Sequence, residues 1–277
     1  MRKMSCVLHA KCQGDEIERL LLAHKNFSSL YHLHRFTNYT RQDIPDRILE
    51  DCSLFLYQYL GPEWGELGSD RLVNKLPKSV PALRIPNMFF KSCWPFWTNA
   101  SPMDFGDSLL DRLIDEGAPK PAILKIYLHK DIRDFVDLDA VSAESFARER
   151  AKEMETCVKT VDFVAERWKK QAMFHTVNHP GKELLAHVAN GILDTLGLPP
   201  LTDDEIASLG RSFPSYSDFD LPVHPGVASS LGLAYIRPDH LFRIFGRKMT
   251  FARYISRYID CRMNGLEKNF LAYLQLV

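Results

Sequence analysis

Apolar positions in the first hundred residues come in short continuous runs rather than long stripes. Ser5–Ala10 is one such run. It passes through Lys11-Cys12-Gln13-Gly14 into Asp15–His24, where Ile17, Leu20 and Leu21 share one helical face. Ser28–Phe36 reads as a second strand and Asp43–Glu50 as a short helix. Cys52–Leu60, CSLFLYQYL, is the nearly unbroken apolar run expected of a strand buried on both faces, and Gly61-Pro62 stops it. Val80–Trp97 is broken by prolines and rich in aromatic rings, which predicts a strand followed by an irregular loop.

From Phe105 onward the spacing becomes helical. Met154, Val158, Val161, Ala165 and Trp168 recur at steps of four and three, predicting one long helix over about Ala143–Lys170. Ala172–Thr176 reads as a short strand returning to the sheet. Gly181–Leu196 reads as a helix stopped by Gly197 and Pro199-Pro200, and Thr250–Leu274 as a closing helix. The pattern predicts an α/β fold: a short, mostly parallel sheet with flanking helices and a large helical lobe. One domain is expected over 1–277, its core at about 1–100 and 171–197 and its helical lobe at about 105–170 and 200–277.

Composition narrows the classes. The 277 residues, 45% hydrophobic, can bury a large core. Lys+Arg and Asp+Glu balance at 35 each, so no overall field favours nucleic acid or an anionic membrane. No apolar run approaches the roughly 18 residues a spanning helix needs, and the stretch after Met1-Arg2-Lys3 is too short for a secretory signal. The six cysteines, at 6, 12, 52, 93, 157 and 261, lack zinc-site spacing and disulfide-scaffold density. A cytoplasmic chain with reduced thiols, no transmembrane segment and no metal is the expectation.

Two strand ends carry candidate chemistry, because open parallel sheets bind ligands at their carboxyl edge. Cys12 leaves the first strand where Gly14 and Asp15 open a helix, whose N-terminus favours a thiolate. The backbone N–H of Gln13 or Gly14 is then a candidate oxyanion donor. The competing reading makes Cys12 a buried thiol, as Cys6, Cys52, Cys93, Cys157 and Cys261 are read. His179, in Asn178-His179-Pro180, is either the base for Cys12 or, with Asn178, a cap on the next helix with Pro180 at its first position. His175 orients a partner or faces solvent, and His187 is core or surface. Gln58, at the end of the third strand, donates to an oxyanion or satisfies a loop.

The blocks KCQG, LYQYLG, IPNMFFKSCWPFW, FHTVNHPGKELLAHVANGILDTLG and VHPGVASSLGL resemble those of the WcbI-type capsular polysaccharide biosynthesis proteins, over about residues 5–260. Lys11 stands where that family usually has asparagine. The arrangement is also distantly similar to the SGNH hydrolases, with Cys12 in the serine's place and Thr176 in the aspartate's, leaving a dyad or a triad oriented by Asn178 or His175. The resemblance implies an acetyltransferase moving an acetyl group from acetyl-coenzyme A to a sugar hydroxyl of a polysaccharide or its precursor, through Cys12, Gln58, Asn178 and His179. Covalent transfer through Cys12 and direct, His179-assisted transfer are both open. Coenzyme A needs cations for its phosphates. Lys75, Lys78 and Arg84 flank the aromatic segment, Arg237, Arg243, Arg247 and Lys248 precede the last helix, and Gln13 and Gly14 adjoin the thiol. Trp94, Phe96 and Trp97 offer rings for adenine or sugar. The alternatives are an SGNH-like esterase or deacetylase, and a non-catalytic coenzyme A- or glycan-binding component of a polysaccharide assembly complex.

Overall fold

Four parallel strands carry the first candidate residue. In a computed structural model that describes residues 2–209 and 218–276, β1 (Met4–Ala10), β2 (Tyr31–Thr37), β3 (Cys52–Tyr57) and β4 (Ala82–Arg84) line up as β2-β1-β3-β4, every neighbouring pair parallel. The chain divides into two compact units. The first takes Met1–Met88, Glu149–Ala165 and Pro180–Ser215, and the second Phe89–Arg148, Glu166–His179 and Tyr216–Val277.

In the first unit, β1 is central and buried from Cys6 to Ala10. That explains why this stretch is mostly apolar, interrupted only by His9, since both of its faces are covered. Val7, Phe36, Phe55, Leu72 and Leu76 form the core on one face. Beyond β1, α1 (Gln13–Ala23) buries Ile17, Leu20 and Leu21. The helix lies so close to the strand that a Cβ on Gly14 would meet the Cβ of Ala10 at 2.7 Å. The expected strand at Ser28–Phe36 starts later, because Lys25–Leu30 is a short helix, α2, whose first turn the His24 ring caps by accepting from Phe27 N–H. The next helices, α3 (Asp46–Glu50) and α4 (Ser69–Lys75), complete this half.

Helices α5 (Ser108–Asp115) and α6 (Lys120–His129) belong to the second unit. The single long helix expected over Ala143–Lys170 is two helices, α7 (Leu138–Glu153) and α8 (Val161–Arg167). Met154, placed on the predicted apolar stripe, is 75% exposed. Glu153 makes the break: its carboxylate accepts from the backbone N–H of Thr160 (2.7 Å) and Val161 (2.9 Å), capping α8. Lys159 Nζ donates to the carbonyls of Met154 and Thr156, both at 3.0 Å.

The strand expected at Ala172–Thr176 is shorter, Phe174–Thr176, and is not a member of the parallel sheet. Within the second unit, Leu221 N–H donates to the His175 carbonyl and Phe90 N–H to that of Val177. Further on are α9 (Lys182–Thr195), α10 (Asp203–Ser208), α11 (Pro225–Leu231), α12 (Phe251–Met263) and α13 (Phe270–Leu276). The single closing helix is thus two, parted where Gly265 takes a left-handed φ of +67°. An unforeseen hairpin pairs Leu241–Ile244 with Arg247–Thr250 across Phe245-Gly246, both at positive φ. Among the described residues, no helix is long and apolar enough to cross a membrane.

His9 sits near the carboxyl end of β1, level with Phe36 and Tyr57. It is fully buried, and neither ring nitrogen has a hydrogen-bond partner among the described residues. Burial pushes its pKa down to about 4. The unfolded histidine takes up a proton near pH 6.5, so the unfolded chain binds more protons as pH falls from about 6.5 to 4, and stability drops across that window. Removing the titrating ring in His9→Leu should make unfolding free energy less steep in pH between 6.5 and 4, as followed by urea denaturation. An unchanged slope would show that His9 ionises normally in the folded state.

Candidate active site

Cys12 occupies the N-cap position of the eleven-residue α1 and is half-buried. Burial raises its thiol pKa, while the backbone N–H groups of Gln13 and of Cys12 itself and the nearby Lys11 charge pull it down without cancelling the rise. The thiol is therefore protonated at rest. The five other cysteines are free thiols, and burial raises the pKa of each, which fits their reading as packing residues.

The turn carrying Cys12 is held by two glutamines. Gln58 Oε1 accepts from Lys11 N–H (2.9 Å), and Gln58 Nε2 donates to Gln13 Oε1 and to the Pro86 carbonyl, both at 3.0 Å. Gln13 Nε2 donates to the Met88 carbonyl (2.7 Å), and Gln13 Oε1 accepts from Met88 N–H (3.2 Å). Both side chains are at most 1% exposed. Two expectations change. Both amide protons of Gln58 are spent inside the protein, so it is a clamp rather than an oxyanion donor, and the Gln13 side chain holds a loop rather than a cofactor. Gly14 changes role too: its N–H donates to the Lys11 carbonyl at 2.8 Å, and its missing side chain lets α1 approach β1.

In the second unit, His179 Nδ1 lies 2.8 Å from Thr176 Oγ1, which donates to Asn178 Oδ1 at 3.0 Å. A hydroxyl has one proton. Given to Asn178, it leaves Thr176 accepting from His179, so the ring carries its proton on Nδ1 and presents a lone pair on Nε2. Burial, with His175 nearby, lowers the His179 pKa to about 4, which keeps this imidazole neutral at ordinary pH. The hydroxyl of Thr176, in the position of the expected carboxylate, thus joins Asn178 to the ring. The capping alternative falls away, because α9 has Gly181 as its N-cap and no side-chain cap bond. The other His-Pro pair does cap. His224 Nδ1 accepts from Gly226 N–H at 2.9 Å at the start of α11, with Pro225 in its first turn.

His175 pairs through Nδ1 with Asp220 Oδ1 at 2.7 Å, and Arg243 donates to Asp220 through Nε (3.0 Å) and Nη2 (3.2 Å). Burial raises the Asp220 carboxyl, but those bonds outweigh it and hold it below the usual range. Nothing near Asp220 in the sequence signals this role. His187 stacks on Phe163, ring centroids 4.2 Å apart, which leaves it structural.

Three of the cations assigned to coenzyme A phosphates are committed elsewhere. Lys75 pairs with Asp46, Arg84 with Glu155, and Arg243 with Asp220. Lys78, Arg237, Arg247 and Lys248 have no ion pair among the described residues. Trp94 and Phe96 are 8% exposed, and Trp94 Nε1 donates to the Leu221 carbonyl, so these rings pack within their unit rather than cover a ligand. Trp97 meets Phe89 edge-on at 5.1 Å. Among the described residues no group of three or more His, Cys, Asp or Glu is placed to hold a metal.

Beyond the carboxyl ends of β3 and β4, within the first unit, a pocket of about 120 Å³ is lined by Tyr59, Arg84, Asn87, Glu149, Lys152 and Glu153. The Arg84 guanidinium lies 4.3 Å from the Tyr59 ring centroid. The two cations and two carboxylates on its wall balance.

Comparison with known proteins adds a family. The model of the WcbI polysaccharide biosynthesis enzymes matches residues 5–201. A solved structure described as WcbI, a novel polysaccharide biosynthesis enzyme, in native form without a disulfide between coenzyme A and one of its cysteines, is 15% identical. It covers 99% of this chain and 94% of its own with a TM-score of 0.78, a likeness of fold. No curated protein matches.

Two outcomes test this geometry. Gln58→Leu strands buried partners at Lys11, Gln13 and Pro86, and should cost about 1–3 kcal/mol or more in unfolding free energy by denaturant titration; a neutral result would show the clamp is dispensable. In Thr176→Val the Nδ1 acceptor is gone, so ¹⁵N shifts of the His179 ring should move from a predominantly Nδ1–H tautomer toward Nε2–H. A wild-type ring already protonated on Nε2 would reverse the direction assigned to the relay.

Proposed function

This chain belongs to the WcbI polysaccharide biosynthesis enzyme family, and we propose that it transfers an acetyl group from acetyl-coenzyme A to a sugar hydroxyl, with Cys12 and His179 serving one reaction. The observation that carries the reading is the Cys12 sulfur at the N-terminus of α1, on the turn leaving the central parallel strand, with backbone N–H groups directed at it. The solved relative is described as the native protein without a disulfide between coenzyme A and one of its cysteines. Cys12 is the residue we assign to the thioester in this chain. Lys78, Arg237, Arg247 and Lys248 are the candidates left for its phosphates. The charge-balanced pocket walled by Tyr59 suits a neutral, hydroxyl-rich acceptor better than an anion.

In the covalent route the Cys12 sulfur attacks the thioester carbonyl, the carbon–sulfur bond to coenzyme A breaks, and the thiol proton passes to the departing sulfur. A sugar oxygen then attacks the acetyl-cysteine as His179 Nε2 accepts its proton, which returns to the Cys12 sulfur as that bond breaks. In the direct route His179 Nε2 accepts the sugar hydroxyl proton as that oxygen attacks the thioester itself, and the proton passes to the coenzyme A sulfur as its carbon–sulfur bond breaks. Both start from a neutral thiol and a neutral imidazole, so protons move as bonds form rather than from a standing ion pair.

Intact-mass measurement after incubation with acetyl-coenzyme A should show one acetyl group on the wild type and none on Cys12→Ser. Cys12→Ser and His179→Ala should each abolish transfer, and the double variant should be hardly worse than either. An active Cys12→Ser beside a dead His179→Ala would leave direct transfer, and wild-type rates from both would overturn the assignment. The acid limb of kcat/KM should fall near pH 4 rather than 6.5, following the lowered His179 pKa.

A further inference from the structure

At the opposite end of β1 from Cys12, roughly 20 Å away at about 3.3 Å per residue, a depression of about 630 Å³ opens at the amino edge of the sheet. Its walls come from the segment leading into β1, from the edge strand β2, from α3 and from the start of β3. Arg2, Lys3 and Arg47 supply three permanent positive charges, and none has an ion-pair partner among the described residues. By contrast Arg35, Arg71, Arg150 and Arg262 each hold a carboxylate. Asp51 is the one acid lining the depression, and Asp46 on the same helix is engaged by Lys75.

His32 and His34 complete the cluster. They alternate along β2 in register with Ser5 and Val7, on the face that carries Phe36. Their rings meet edge to face at 4.5 Å. Two imidazoles so close cannot both ionise without a counter-charge, and burial with the neighbouring His32 lowers the His34 pKa. The hydroxyls of Ser5 and Ser53 add neutral donors. The chain as a whole carries no net charge, so this excess is local and needs a local explanation.

We propose that this depression binds the phosphate or pyrophosphate group of an anionic ligand, at a site separate from Cys12. Two or more negative charges on a tetrahedral group match three cations, two ionisable rings and two hydroxyls, and the volume is that of a small-molecule site. A bound anion supplies the counter-charge that favours the protonated form of the His34 ring, so binding strengthens as pH falls.

Calorimetry of the full chain with sodium pyrophosphate at low salt tests the assignment. We expect saturable binding at pH 6 that weakens at pH 8 and falls at least tenfold in Arg47→Ala and in Lys3→Ala. It should be retained in Cys12→Ser and in Arg150→Ala, whose arginine lies outside the depression. Sedimentation with phosphatidylcholine vesicles, with and without phosphatidic acid, separates the sources. Retention only on the acidic vesicles, abolished by the same substitutions, supports a lipid phosphate, and pyrophosphate binding without retention supports a soluble one. Absence of both kinds of binding at pH 6, or affinity untouched by either substitution, overturns the proposal.

Discussion

The candidate site rests on a buried pair of glutamine amides. Gln13 follows Cys12 and Gln58 follows β3, and each is spent on the other and on the loop through Pro86 and Met88. A buried amide costs several kcal/mol unless its donors and acceptors are met. The pair is stable only in one arrangement of the β1–α1 turn, the end of β3 and that loop. The network thereby fixes the backbone of the turn that carries the thiol. Gly14 adds the complementary constraint, since α1 can begin where it does only if nothing projects toward Ala10.

The histidine is prepared by different means. Where a carboxylate beside His179 would raise its pKa and stabilise an imidazolium, the neutral Thr176–Asn178 pair fixes the tautomer without adding charge. Burial then keeps the ring unprotonated. The nearby carboxylate, Asp220, is engaged by His175 and Arg243. The second unit thus holds two histidines four residues apart in different settings, His175 tied to a carboxylate and His179 to a hydroxyl. The His224-Pro225 pair shows that the dipeptide alone decides nothing: the same two residues make a helix cap when the ring finds a free backbone N–H.

Sequence patterning reached the parts governed by short-range rules. The buried strands, the helix after Cys12 and the Gly197 stop follow from apolar runs and glycine placement. The misread parts were decided by contacts the pattern cannot show. The stripe from Met154 to Trp168 continues in phase across a break made by the Glu153 carboxylate turning back to cap the next helix. Phe174–Thr176 has strand-like residues, but it lies outside the parallel sheet and its His175 carbonyl accepts from Leu221 N–H. Gln58 was visible as a polar residue at a strand end; whether its amide served a substrate or a loop depended on Gln13 and Pro86, 45 and 28 residues away. Cations are the least legible of all, because Lys75, Arg84 and Arg243 differ from Lys78 and Arg237 only in whether a distant carboxylate reaches them.

Charge is also sorted between the two ends of the parallel sheet. Beyond the carboxyl ends of β3 and β4, the lining cations Arg84 and Lys152 are matched in number by the lining carboxylates Glu149 and Glu153, leaving polar but balanced walls around Tyr59. At the amino edge Arg2, Lys3 and Arg47 face a single acid. A neutral chain gains nothing in folding from crowding like charges, which repel across a few ångströms of partly excluded water. Balanced walls suit the acyl transfer to an uncharged sugar proposed above, since unpaired cations there would draw competing anions. The unbalanced walls lie at the amino edge, and β1, running between the two ends, keeps the two settings apart.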